Sequence, residues 1–296
     1  MSRLGGRAND YEARGKRACM NSPPPAPRTH TPVQRLVARV SRTVGVLRSR
    51  PRPGLRVLLY HAVGSTGLSD RYGMFVTPSA FADQMRYLRE ESGCDLVSLE
   101  AGAAALEHGT LDGTAVAVTF DDGFLNVLTA AGPILTRYDI PFTVFVVGGY
   151  VERPPVQRRY LDGSALRELA DVPHASIGAH GFTHRPLTRL ISSALDDELL
   201  RSRETLHTLL GKSPSAISYP HGAVSRHVLG RTEAAGFAIG ATSFVGVNHV
   251  GVHPLHLCRT EILAGDGPEE VSGKIRGDYD WYHVRQRMYW PLPSDV

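Results

Sequence analysis

Seven times along the chain a short apolar, β-branched run comes round, and stretches with helical spacing lie between most of these runs. They are Leu55–Tyr60, Asp95–Leu99, Ala115–Phe120, Phe142–Val147, Ser176–Ala179, Ala216–Tyr219 and Phe237–Ala241. Strands this apolar, alternating with helices, form a parallel sheet covered on its outside, either doubly wound or closed into a barrel. The helical stretches carry their own punctuation. Thr77-Pro78 supplies a cap and a first-turn proline ahead of Phe81, Met85 and Leu88. A longer stripe of Leu187, Ile191, Leu195, Leu199, Leu206 and Leu210 closes at Gly211, with Pro214 just beyond. Neither GxGxxG nor GxxxxGK[ST] follows any strand, which counts against a nucleotide-binding doubly wound sheet. No internal repeat is present.

The 296 residues, 42% apolar and 21% charged, describe a soluble globular protein of one large or two ordinary domains. Its charge is divided unevenly. Residues 1–53 hold 12 Lys+Arg against 2 Asp+Glu, and the remainder holds 21 against 27. The basic excess therefore belongs to the N-terminal segment, and the acidic body, 54–296, is not expected to bind nucleic acid. Residues 1 to about 32 are Arg/Pro/Gly-rich and predicted to be disordered. In 33–48, Val33, Leu36, Val37, Val40, Val44 and Leu47 fall on one helical stripe, with Arg35, Arg39, Arg42 and Arg48 largely off it. That helix either packs on the main domain or touches an anionic membrane surface or a partner. Cys19, Cys94 and Cys258 are scattered, without CxxC spacing, as suits a reducing compartment. There is no membrane-length apolar run and no secretory h-region, whether translation starts at Met1 or Met20. The expected location is cytoplasmic, at the inner membrane surface if the basic helix binds there.

The residues with chemistry gather at strand ends. Val57–Tyr60 runs straight into His61. Ala115–Phe120 ends on the adjacent carboxylates Asp121 and Asp122, followed by Gly123. Neighbouring carboxylates repel unless a cation or proton lies between them, although Asp-Asp-Gly is also ordinary turn chemistry. After Ser176–Ala179 come His180 and His184. Four residues apart in a single helical turn, they can face one metal ion, with Gly181 and Pro186 keeping the turn short. One carboxylate and two histidines, with positions left open for water, make a catalytic zinc arrangement. The HExxH protease signature is absent, because position 181 is Gly. A third strand end, Tyr219-Pro220-His221-Gly222, reads either as a Pro-Gly turn or as the source of a backbone N–H, that of Tyr219, for an oxyanion.

In this order and spacing, "TFDDGF", "HGFTH" and "SYPHG" resemble the polysaccharide deacetylases, the carbohydrate esterase family with the NodB-homology domain, over roughly 56–262. The resemblance implies an irregular (β/α) barrel and metal-dependent hydrolysis of an N-acetyl or O-acetyl group on a sugar, with Zn²⁺ the expected ion. It makes Asp121 the general base, Asp122, His180 and His184 the metal ligands, and the Tyr219 amide the oxyanion donor. Two features depart from the family pattern. The third motif begins with Ser218 where an arginine usually orients the base, and Arg259 in "LCRTEI" is the candidate replacement. No clear Leu-x-His follows the last strands, where His253 and His256 are only loose candidates for the general acid. The head of the domain, "LLYHAV" with "FVTPSAFADQMRYL", is similar to the poly-N-acetylglucosamine deacetylase branch, whose permuted motif order makes His61 the acid. Any strand end of a closed barrel reaches the same mouth. Same-fold alternatives are an O-acetyl xylan or peptidoglycan esterase and a cyclic amide hydrolase. A non-catalytic sugar-binding scaffold is a further alternative, disfavoured by the intact Asp/Asp/His/His set.

Overall fold

Parallel pairing runs through the whole main sheet of the computed structural model, which describes residues 53–151 and 159–281 together with Val37 and Val40. The chain enters at β1 (Gly54–Tyr60) and adds a small two-stranded pair, β2 (Ala62–Val63) with β3 (Phe75–Val76). It continues through α1 (Pro78–Glu90), β4 (Asp95–Leu96), α2 (Leu99–His108) and β5 (Thr114–Phe120). A π-helical turn, Val127–Ala131, leads into α3 (Gly132–Arg137) and β6 (Phe142–Val146), then α4 (Gly148–Val151) and α5 (Gly163–Ala170). The remaining elements are β7 (Ala175–Ala179), α6 (Ser192–Leu210), β8 (Ala216–Ser218), α7 (Arg226–Ala234), β9 (Ile239–Ala241), β10 (Thr260–Glu261) and α8 (Pro268–Arg276).

The strand order is β10-β1-β5-β6-β7-β8-β9, with β4 pairing the first half of β5. One segment joins the two ends of this order. Leu257 forms a parallel bridge to Ala241, and three residues later Thr260 pairs with Leu58. The result is a nearly closed barrel of seven parallel strands, which resolves the choice between doubly wound sheet and barrel. Strand alternation sorts the core accordingly. Leu55, Val57, Ala115, Ala117, Phe145, Ala216 and Leu257 come from strands far apart in the sheet yet form one cluster, which only a shared lumen permits. The intervening Leu58, Tyr60, Val116, Val118 and Phe120 belong to the outer cluster shared with the helices.

Boundaries differ from the expected runs for local reasons. The Asp95–Leu99 run keeps only two strand residues, because the Ser98 hydroxyl accepts the Ala101 N–H and starts α2. The stripe from Leu187 to Leu210 is two elements, a 3₁₀ turn at Leu187–Arg189 and then α6. Ile191 is 75% exposed, so the apolar face resumes only at Leu195. By contrast α1 begins as expected, with Thr77 Oγ1 accepting the Ala80 N–H and Pro78 in the first turn. Val37 and Val40 are helical, and the rest of the 1–53 segment apart from Pro53 lies outside the described residues. No helix among the described residues is long and apolar enough to cross a membrane.

Candidate active site

At the carboxyl ends of the strands the apolar lumen gives way to a buried charge network. Asp121, Ser218 and Arg259 continue the inward parity of Ala117, Ala216 and Leu257. Arg259 is fully buried and Asp121 is 3% exposed. The guanidinium forks onto the carboxylate, Nη1 donating to Oδ1 and Nη2 to Oδ2, both at 2.7 Å. Nη2 also donates to Ser218 Oγ at 2.7 Å, and that hydroxyl donates to Asp121 Oδ2 at 3.0 Å. Nε donates to the Thr242 carbonyl at 2.7 Å, fixing the fork from behind. Burial pushes the Asp121 carboxyl up, but Arg259 and then His180 outweigh it and hold it below the usual carboxylate value.

Asp122 turns away from its neighbour because its backbone is left-handed (φ 71°), as is that of Gly123 (φ 68°). Its Oδ1 lies 3.4 Å from His180 Nε2 and 3.2 Å from His184 Nε2. One ligand atom from each of the three residues falls within a 4.8 Å span. His180 Nδ1–H donates to the Ser218 carbonyl at 2.8 Å, which leaves Nε2 as the ring's lone-pair donor. Burial acts to raise Asp122, yet the His180 and His184 rings beside it hold its carboxyl well below the usual range. A tautomer-locked histidine, a second histidine and a carboxylate converging in this way fit a divalent cation.

The geometry departs from the sequence expectation at two points. His180 and His184 do not share a helical turn. Residues 180–186 are a loop, with Gly181 (φ 67°) and His184 (φ 61°) left-handed. The four-residue spacing is met by a reversal that a non-glycine residue accepts only under constraint. The Tyr219 amide is not available to an oxyanion either, because it extends the β8–β9 ladder by donating to the Ala241 carbonyl at 3.0 Å. The Tyr219 ring is buried and its hydroxyl donates to the Leu255 carbonyl at 2.8 Å. Pro220 has no N–H, so the first amide past the ladder is that of His221, itself left-handed (φ 61°).

His61 is half-buried and level with the carboxylate pair, since the Asp121 N–H donates to the Tyr60 carbonyl at 3.0 Å. It lies close enough for its charge to lower both Asp121 and Asp122, and its buried Nδ1 has no hydrogen-bond partner among the described residues. His253 uses Nδ1 to accept the Leu255 N–H, and His256 is buried and stacked on Phe244. Ser218, His221 and Glu198 were missed as individual site residues. The parity of the Ala216–Tyr219 run could have pointed Ser218 inward. The His221 ring is 4.7 Å from the His184 ring, and only its place in "SYPHG" hinted at that. Glu198, which hydrogen-bonds the loop between the two histidines from α6, carries no signal in the sequence.

Fold and mouth together define a parallel-barrel protein with a carboxylate–histidine–histidine cluster beside a buried, arginine-held carboxylate. Residues 108–240 match the family model for polysaccharide deacetylases. It is 26% identical over 228 residues to YxkH of Bacillus subtilis (strain 168), a protein grouped by name with the polysaccharide deacetylases, covering 76% of this chain and 75% of that one. Among solved structures it is similar to the Streptococcus pyogenes deacetylase PplD in complex with acetate, with TM-score 0.69 and 26% identity, covering 76% of this chain and 99% of that one. It is similar also to IcaB from Ammonifex degensii, with TM-score 0.67 and 26% identity, covering 76% and 98%.

Proposed function

We propose that the protein is a metal-dependent carbohydrate deacetylase that hydrolyses the N-acetyl group of an amino sugar or glycan precursor. The observation that carries this reading is the buried, ionised Asp121 standing beside the Asp122/His180/His184 set at one barrel mouth. A divalent cation, Zn²⁺ being the expected one, would be held by those three residues and would polarise the acetyl carbonyl and acidify water. Asp121 takes the proton from the attacking water, with its plane fixed by Arg259 and Ser218. The His221 N–H, free of the sheet ladder, is the backbone donor assigned to the developing oxyanion in place of Tyr219. His61 gives a proton to the leaving nitrogen as the C–N bond breaks, so acetate and a free sugar amine are released. That the relative PplD is seen with acetate supports this product. The test is acetate release from N-acetylated sugars and oligosaccharides, before and after chelation. Zn²⁺ should restore what chelation removes, and full turnover by the metal-free protein would overturn the reading.

We also propose that 54–296 is the catalytic unit and that the basic 1–53 segment meets an anionic membrane surface from a reducing compartment. The site residues at the barrel mouth all lie in 54–296, the charge division supports the membrane contact, and three scattered cysteines without CxxC spacing suit a reducing compartment.

A further inference from the structure

The two histidines of the cluster are joined by Gly181, Phe182 and Thr183, and this link is clamped from two sides. From one side the N–H groups of Gly148 and Gly149 donate to the Gly181 and Phe182 carbonyls at 3.0 and 2.8 Å. From the other, Glu198 of α6 accepts the Phe182 and Thr183 N–H groups on Oε2, each at 2.8 Å, and the Thr183 hydroxyl on Oε1. A Cβ added at Gly181 would lie 3.3 Å from Glu198 Oε2, so the carboxylate rests against the turn itself. Glu198 is 7% exposed, and no ion pair with lysine, arginine or histidine is formed by it among the described residues. A carboxylate buried without a cationic partner is costly, and here only N–H and O–H dipoles offset that cost. The turn it holds contains the left-handed Gly181 and His184, a conformation that persists only where the surroundings over-determine it.

We propose that Glu198 is a positioning residue whose negative charge holds the His180–His184 turn in its ligand conformation and raises the affinity of the cluster for a dication. The role rests on the metal reading given above. Charge and shape make separable contributions. Glu198→Gln keeps the length of the side chain and an acceptor for the two amides, and it removes the charge. Glu198→Ala removes both.

The experiment measures Zn²⁺ and Co²⁺ binding to the metal-stripped full-length protein and to both variants, by competition with a chelator, alongside the melting of each stripped form. Wild type should bind one ion. Both variants should bind more weakly, by about 10–100-fold, with Glu198→Gln at the lower end and melting close to wild type when stripped. Such weakening without a change in melting is not expected of a residue that only supports the fold. If Glu198→Ala does not fold, Glu198→Gln decides alone. Wild-type affinity in Glu198→Gln overturns the role of the Glu198 charge, whatever Glu198→Ala does, and leaves the metal site standing. A wild type that binds neither ion overturns the metal reading and the role of Glu198 with it.

Discussion

Asp121 and Asp122 are adjacent in the chain, yet their carboxylates answer to different partners, one to Arg259 and Ser218 and the other to two imidazoles. Asp121→Asn should therefore keep its metal and lose about 10²–10⁴-fold in turnover, checked by metal content and kcat on the same preparation. Arg259→Met leaves Asp121 as an uncompensated buried charge. It should cost about 3–5 kcal/mol in urea denaturation, and the double variant with Asp121→Asn should recover part of that loss. The pH dependence follows from the sign of the shift. The Asp121 carboxyl is held below its unfolded value, so the pair contributes stability above about pH 4 and loses it as pH falls through the folded value. His61→Ala should keep metal and fold but lose about 10²–10⁴-fold on an acetamide. The loss should be smaller on an activated acetyl ester, whose leaving group needs no proton. Equal losses on both substrates would make His61 a packing residue. Asp121, Asp122 and His61 are visible in the sequence as chemistry at strand ends, and Arg259 only through the resemblance. Which N–H groups are already spent is not visible there, and so the sequence points to the Tyr219 amide, which the β8–β9 ladder consumes.

At the scale of elements, the strand runs were legible because a buried parallel strand is apolar nearly throughout, as Leu55–Tyr60 and Ala115–Phe120 show. Their ends were less so. Ser98 takes the chain out of β4 and into α2 through one hydroxyl, and the loop at His180 imitates helical spacing through two left-handed residues. Among the described glycines, Gly240 in β9 is the one most closely approached by its neighbours: a Cβ there would collide with Tyr219 Oη and come 2.5 Å from the Leu255 carbonyl oxygen. Gly240→Ala should cost about 1–3 kcal/mol by overpacking, read as a lower urea midpoint with an unchanged slope. A variant as stable as wild type would show that β8 and β9 yield easily at this joint.

Across the whole molecule, the charge division predicts that deleting residues 1–50 leaves acetate release intact and abolishes binding to vesicles rich in anionic lipid. Retained vesicle binding would place the attachment in the barrel domain. The barrel also joins distant parts of the chain. Arg56 in β1 makes a paired contact with Asp280, 224 residues away, at 2.7 and 3.0 Å. The strand–helix alternation, the Asp121/Asp122 and His180/His184 pairs at strand ends and the strand-terminal place of His61 are legible along the chain. Each of these is a local pattern, set by burial periodicity and by which residue follows the last strand position. Folding in three dimensions closes the sheet, sets Arg259 and Ser218 on Asp121 across 138 and 97 residues, spends the Tyr219 amide on its ladder and puts Glu198 against the link between His180 and His184. Those partners meet because barrel closure brings non-adjacent strand ends to one mouth, and no local periodicity records which of them will touch.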